Sequence, residues 1–221
     1  QAAWWIIWKG ICIMAISYPL ALPTHTGIAQ IELRATNAVA YSRSPFTFAG
    51  QAHAYAGKAW QADVTLPSMK REDAERWVAW LISLKGQLGT FYLGDPVAAT
   101  PLGSARDTDT VFTSSAVSSG GTITVDSAPT SQTDYLKAGD YVQVGTGSAR
   151  QLFKVLTDVD TNSLGEASID VWPDVRTSIA DNTLITVQNT QGLFRLSSNE
   201  QAFSINEASI YGITFGAMEA L

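Results

Sequence analysis

The sequence predicts a mostly β (α+β) fold: an antiparallel β-sandwich or split barrel with one packed α-helix, plus an inserted small all-β barrel. Three observations predict it. Apolar and polar residues alternate with period two through the first third of the chain, one capped helix follows Pro67, and short strands recur at steady spacing between about 120 and 190.

Residues 28–36 place Ile31, Leu33 and Ala35 on one side and Gln30, Glu32, Arg34 and Thr36 on the other, the pattern of a strand with one wet face. A second strand is expected over about 39–48, ending at "FTFAG", followed by a loop containing "GQAHAYAG". Residues 59–66 resume the alternation, with Trp60, Ala62, Val64 and Leu66 against Gln61, Asp63 and Thr65. Pro67 ends that strand and Ser68 is the expected helix cap, with Glu72 and Asp73 at the positive end. The buried stripe of the helix is Ala74, Trp77, Val78, Leu81 and Leu84, and Gly86 follows as a stop. A short strand at 90–93 carries Phe91, and Gly94, Asp95 and Pro96 make a turn. Trp60, Val64, Leu66, Trp77, Leu81 and Phe91 are therefore the expected core of this unit.

Composition then shifts to Ser, Thr, Ala and Gly. Five short strands are expected at 122–125, 141–145, 151–159, 167–173 and 184–188, with turns between them and no helix, as in a small closed barrel. From 193 the strands lengthen again, and a break in alternation near Glu207 to Ser209 predicts a bulge. The division expected is an N-terminal extension (1–13), a first part of the sheet domain (14–100), the inserted barrel (101–190) and a return to the sheet domain (191–221).

Hydrophobic residues at 46% with 7 Trp, 8 Phe and 7 Tyr describe a chain that buries a core. The formal charge of −6 falls on the insertion, where residues 101–190 hold eleven acidic and five basic side chains. No basic stripe is present to grip nucleic acid phosphates. Residues 1–22 are the most apolar stretch, but Lys9, Gly10, Pro19 and Pro23 interrupt it, so neither a membrane span nor a signal peptide is expected. Met14 reads as a translation start, which makes 1–13 an upstream extension. The lone Cys12 excludes an internal disulfide framework and a thiolate zinc site.

The motifs of chemistry are incomplete. His25 and His53 are the only histidines, both in expected loops, with no further metal ligands beside them. "GTGSA" at 145–149 lacks the context of a nucleophile elbow and reads as a turn. Asp158, Asp160 and Asn162 match the start of a calcium loop, but Ser163 stands where glycine is needed and Ile169 where a bidentate carboxylate should close it. No cofactor or metal is expected, and the chain is not expected to be an enzyme.

The order of motifs is more telling. "W-x-A-x-V-x-L-P" at 60–67 precedes a helix with Ala74, Trp77 and Leu81; "L-x-G-x-x-G-T-F" follows at 84–91, then "DP" at 95–96 and the closing strand "ASIYGITFGAMEAL". This arrangement resembles the ring-forming domain of distal tail proteins and related minor tail proteins of long-tailed phages. The resemblance covers 14–100 and 191–221. It implies a structural virion protein that forms a ring with copies of itself, usually six, at the tail tip. Its partners would be the tail tube protein and the hub or tip proteins, with DNA passing through without specific binding and no membrane. It also implies assembly in the host cytoplasm. An alternative gives the insertion a carbohydrate- or receptor-binding role, with Tyr141 and Trp172 stacking on a host surface glycan. A third reading, a metal-dependent hydrolase built on "DVDTN", requires affinity for calcium or magnesium.

Overall fold

The structure, a computed structural model, describes residues 16–205 and 210–220; the readings of residues 1–13 and of Cys12 lie outside them. Strands β1 (Gln30–Arg43) and β2 (Gly50–Thr65) form one long antiparallel hairpin. Ile31 opposes Val64, Leu33 opposes Ala62 and Ala35 opposes Trp60, so the apolar residues of both strands share a face. This corrects the expected pair of short strands and intervening loop: β1 runs without a break to Arg43, and the "GQAHAYAG" segment belongs to β2.

Met69–Lys70 form a two-residue strand, β3, which pairs with the C-terminal strand. The helix α1 (Arg71–Ser83) thus starts later than expected, with Lys70 at the cap position and no side-chain capping bond, while Ser68 takes no part. Strand β4 (Thr90–Leu93) follows, and the chain leaves the sheet.

Six strands then close a barrel: β5 (Val111–Thr113), β6 (Gly120–Asp126), β7 (Tyr141–Val144), β8 (Gln151–Val155), β9 (Ala167–Val175) and β10 (Leu184–Thr186), in the cyclic order β10-β5-β6-β9-β8-β7. Five of these, β6 to β10, are the strands expected from the sequence. The sixth, β5, has three residues in a Ser/Thr-rich stretch, and Thr113 is buried there because its hydroxyl donates to Ala180 O (2.8 Å) and accepts from Thr183 N–H (2.9 Å). Ile123, Val125, Phe153, Ile169 and Val171 fill the interior.

The chain returns through β11 (Gly192–Leu196), β12 (Phe203–Ile205) and β13 (Ile210–Glu219). The first sheet is ordered β1-β2-β13-β11-β4, with β3 and β12 pairing the early part of β13. Phe203 opposes Ile213 and Ile205 opposes Tyr211, so β12 and β13 run antiparallel. The break in alternation marks a reversal of the chain, not the expected bulge within one strand; residues 206–209 themselves lie outside those described.

The sheet has one buried face. At one end α1 covers it: Trp80 meets Phe91 at 5.1 Å and Phe215 at 5.8 Å between ring centroids, and Trp77 packs against Trp80 at 5.7 Å. Residues 16–29 lie over the outer side of this layer. Trp77 Nε1–H donates to Thr26 Oγ1 (2.7 Å), Trp80 Nε1–H to Ala21 O (2.9 Å) and the Tyr18 hydroxyl to Ser83 O (2.6 Å). Leu20 also bridges Phe91, which covers the β4 edge of the sheet. The six residues expected in the core are all buried: Trp60, Val64, Leu66, Trp77, Leu81 and Phe91.

At the other end the barrel wall covers the same face. Tyr141 and Leu152 of the barrel join the core of the sheet, Trp60 Nε1–H donates to Leu152 O (3.0 Å), and Trp60 packs edge-on against Trp172 at 4.5 Å. The inserted barrel is therefore joined to the sheet through a continuous apolar seam.

Candidate assembly surface

The residues read from sequence as possible chemical centres do not converge. Among the described residues no group of three His, Cys, Asp or Glu is placed to hold a metal ion. Ala138 N–H donates to Asp158 Oδ1 (2.9 Å) and Asp134 N–H to Asp160 Oδ1 (2.8 Å), while Asn162 Oδ1 accepts from Leu164 and Glu166 N–H; each side chain of "DVDTN" ties a loop. Ser148 sits in a short 3-10 turn, Gly147–Ala149. Asp95 Oδ1 accepts from Val97 N–H (2.9 Å), the turn-fixing role expected of it. His53 is in β2, not in a loop, with its ring edge-on to Tyr55 at 4.7 Å.

The two aromatics considered for sugar stacking lie at the seam between barrel and sheet. Tyr141 is buried, between Trp60 (5.9 Å) and the Lys154 ammonium (4.0 Å from the ring centroid). Trp172 is half-buried against Trp60, and its Nε1–H donates to Asn37 Oδ1 (2.9 Å). Both stabilise the junction, and Tyr141 is only 6% exposed.

What the structure does expose is the outer half of the first hairpin. Beyond Asn37 and Lys58 the two strands leave both cores and continue as a two-stranded arm. Every residue from Ala38 to Gly57 except Ser44 is exposed. Val39 (54%), Tyr41 (66%), Phe46 (92%), Phe48 (65%) and Tyr55 (56%) are all large apolar side chains facing solvent. A bare two-stranded ribbon is marginal in water, so this one needs its own supports.

The tip supplies one set. Ser44 N–H donates to Ala49 O (2.9 Å) and Phe48 N–H to Ser44 O (3.0 Å), and Ser44 Oγ accepts from Phe46 and Thr47 N–H at 3.3 Å. Arg43 clips the turn, with its guanidinium over the Phe48 ring at 4.6 Å and its Nε–H donating to Phe48 O (3.2 Å). Phe48 takes φ of 55°, a left-handed conformation uncommon for a bulky residue, so the turn spends strain to aim its side chain outward.

The root supplies the other set. Lys58 Nζ donates to both Asp174 oxygens at 2.7 Å, Arg176 donates to Lys58 O, and Asn37 holds Trp172. Arg176 also forms a two-pronged pair with Glu219 (2.5 and 2.9 Å), and Glu219 Oε2 accepts from Trp60 N–H at 3.0 Å. The register shifts between Asn37 and Val39, where Gly57 lies so close to Ala38 that an added Cβ would stand 3.1 Å from the alanine's. The arm is thus seated on sheet and barrel at once.

A second feature lies at the opposite end of the same ribbon. The outer edge of β1 has no strand partner among the described residues. Beside it a cleft of about 420 Å³ opens between sheet and barrel, lined by Ile28, Ile31, Leu33, Pro96, Val97 and Tyr141, with Asp95 among the remaining lining residues. Ile28, Ile31 and Leu33 are only partly buried, so the core of the sheet is incomplete on this side.

The arm carries no clear strand signature in the sequence because its residues lack a buried side and so lack clean alternation. The available signal was "SPFTF" between two Ala-rich segments carrying Tyr41 and Tyr55 without any acidic residue. Among the described residues no helix is long and apolar enough to cross a membrane. Compared with known proteins, the chain matches no family model and no curated protein.

Proposed function

We propose that the protein is a structural subunit that assembles with copies of itself into a ring, and that the ring belongs to the distal end of a long-tailed phage tail. The observation that carries the assembly is the arm: five large apolar side chains held out on a braced ribbon that contributes to neither core. At ~150–250 Å² for each buried aromatic, the exposed parts of Tyr41, Phe46, Phe48 and Tyr55 offer on the order of 550 Å². That is a large share of the ~800 Å² each partner commonly contributes to a stable interface. Such a surface is costly to leave in water and is best explained by burial against another chain.

The tail assignment rests on the resemblance of residues 58–96 and the closing strand to distal tail proteins. In that role the ring would stack on the tail tube protein and carry hub or tip proteins below, with the acidic barrel turned outward. A lumen formed without clustered cations lets DNA pass without binding.

Analytical ultracentrifugation and electron microscopy of the purified chain test the assembly, with closed rings of about six copies expected. Immunogold labelling of phage particles tests the location. A strictly monomeric chain at high concentration, absent from tails, contradicts the proposal.

A further inference from the structure

We infer that the cleft at the β1 edge is the socket for the arm tip of a neighbouring copy, with Phe46 as the inserted side chain. This rests on the reading of the protein as a self-assembling subunit and adds which two surfaces meet.

Geometry separates the two surfaces. Leu33 lines the cleft, and β1 runs ten residues further, to Arg43, before the turn that carries Phe46 at the tip. At ~3.3 Å per residue that stretch alone spans about 33 Å. The ladder is braced at root and tip, so one copy cannot bring its own tip to its own cleft. Two unlike patches at opposite ends of one rigid body make a heterologous contact, which repeats from copy to copy until the rotation closes.

The chemistry of the patches matches. The cleft is an unfinished part of the core, floored by Ile28, Ile31 and Leu33, and Phe46 at 92% exposure is the most exposed aromatic on the arm. Among the described residues Asp95 is the only charged one lining the cleft, and Arg43 is the only formally charged residue from Ala35 to Gly57. Seating the tip brings a cation to a carboxylate and a phenyl ring to an apolar floor. The open edge of β1 beside the cleft can also accept backbone hydrogen bonds from an incoming strand.

Cysteine cross-linking tests this in the full chain carrying Cys12→Ala. Phe46→Cys places a thiol on the tip and Val97→Cys places one at the rim of the cleft, where Val97 is 91% exposed, so neither substitution touches a core. Under mild oxidation the double variant should give a ladder of covalent multimers on a non-reducing gel. A mixture of the two single variants should give dimers, and each single variant alone should stay uncross-linked. Rings seen by microscopy without tip-to-cleft cross-links overturn the socket and leave the assembly reading standing. Cross-linking of Phe46→Cys alone shows a tip-to-tip contact and overturns it too. A chain carrying only Cys12→Ala, with Phe46 intact, that never associates defeats both.

Discussion

Glu219 is the residue on which most of the junction turns. Its carboxylate accepts from both terminal nitrogens of Arg176 and from Trp60 N–H, in a pair whose side chains are 4% and 13% exposed. Removing one partner of such a pair leaves the other charge buried and unpaired. Glu219→Ala should therefore cost about 3–5 kcal/mol in chemical denaturation, whereas Arg34→Ala in the exposed Arg34–Glu32–Asp63 group should leave the midpoint nearly unchanged. Tyr135 gives a second residue-level expectation. Burial pushes its phenol well above the usual value, and the Asp109 carboxylate, which accepts its proton at 3.2 Å, adds to the shift. The unfolded phenol ionises near pH 10, while the folded one stays protonated. Its contribution is complete below pH 10 and falls as pH rises beyond it. Denaturation midpoints measured from pH 9 to 12 should decline, and Tyr135→Phe should flatten the decline; an unchanged slope refutes the role.

Among elements, the β1–β2 arm is expendable to the fold. Replacing Ala38–Gly57 by Asn-Gly joins Asn37 to Lys58 through a two-residue turn suited to opposed strand residues. This variant should melt within a few degrees of the parent, because no residue it removes belongs to either core, and it should sediment as a monomer. A large loss of stability shows instead that the arm supports its own subunit. The legibility of the elements follows the same division. Strands with one buried side, such as Trp60 to Leu66, wrote their alternation into the sequence, and the helix wrote its Trp77 to Leu81 stripe. The arm has solvent on both faces and few polar residues to mark it, so Ala52 to Ala56 read as a loop. Strand β5 has only three residues, and its burial depends on a threonine satisfied from a distant loop. Ser68 had the chemistry of a cap, but Met69 and Lys70 were claimed by a strand more than a hundred residues later. The cleft beside β1 joins residues near 30, 96 and 141, a long-range arrangement that no local pattern carries.

At the scale of the whole molecule, the sheet and the barrel share side chains. Tyr141 and Leu152 belong to barrel strands by sequence and to the sheet by packing, and Trp60 reaches the other way to bond Leu152 O. Calorimetry should accordingly show one transition, with calorimetric and van't Hoff enthalpies in agreement. Trp60→Ala removes the wedge at a cost of about 3–5 kcal/mol and should split the melt in two. Two transitions in the unaltered chain would show that the seam does not couple the lobes.

Gly94 stands where the chain departs for the barrel, and its backbone presses against Thr190 O, at the point of return; Asn189 N–H donates to Ala99 O (2.8 Å) across the same crossing. Ninety-odd residues thus hang from a doorway barely one strand wide. A domain mounted this way is exchangeable cargo: a different module with closely spaced ends could be spliced in at the same crossing while β4 and β11 stay paired. Any replacement would have to bring its own cover for Trp60 and its own cation for Glu219.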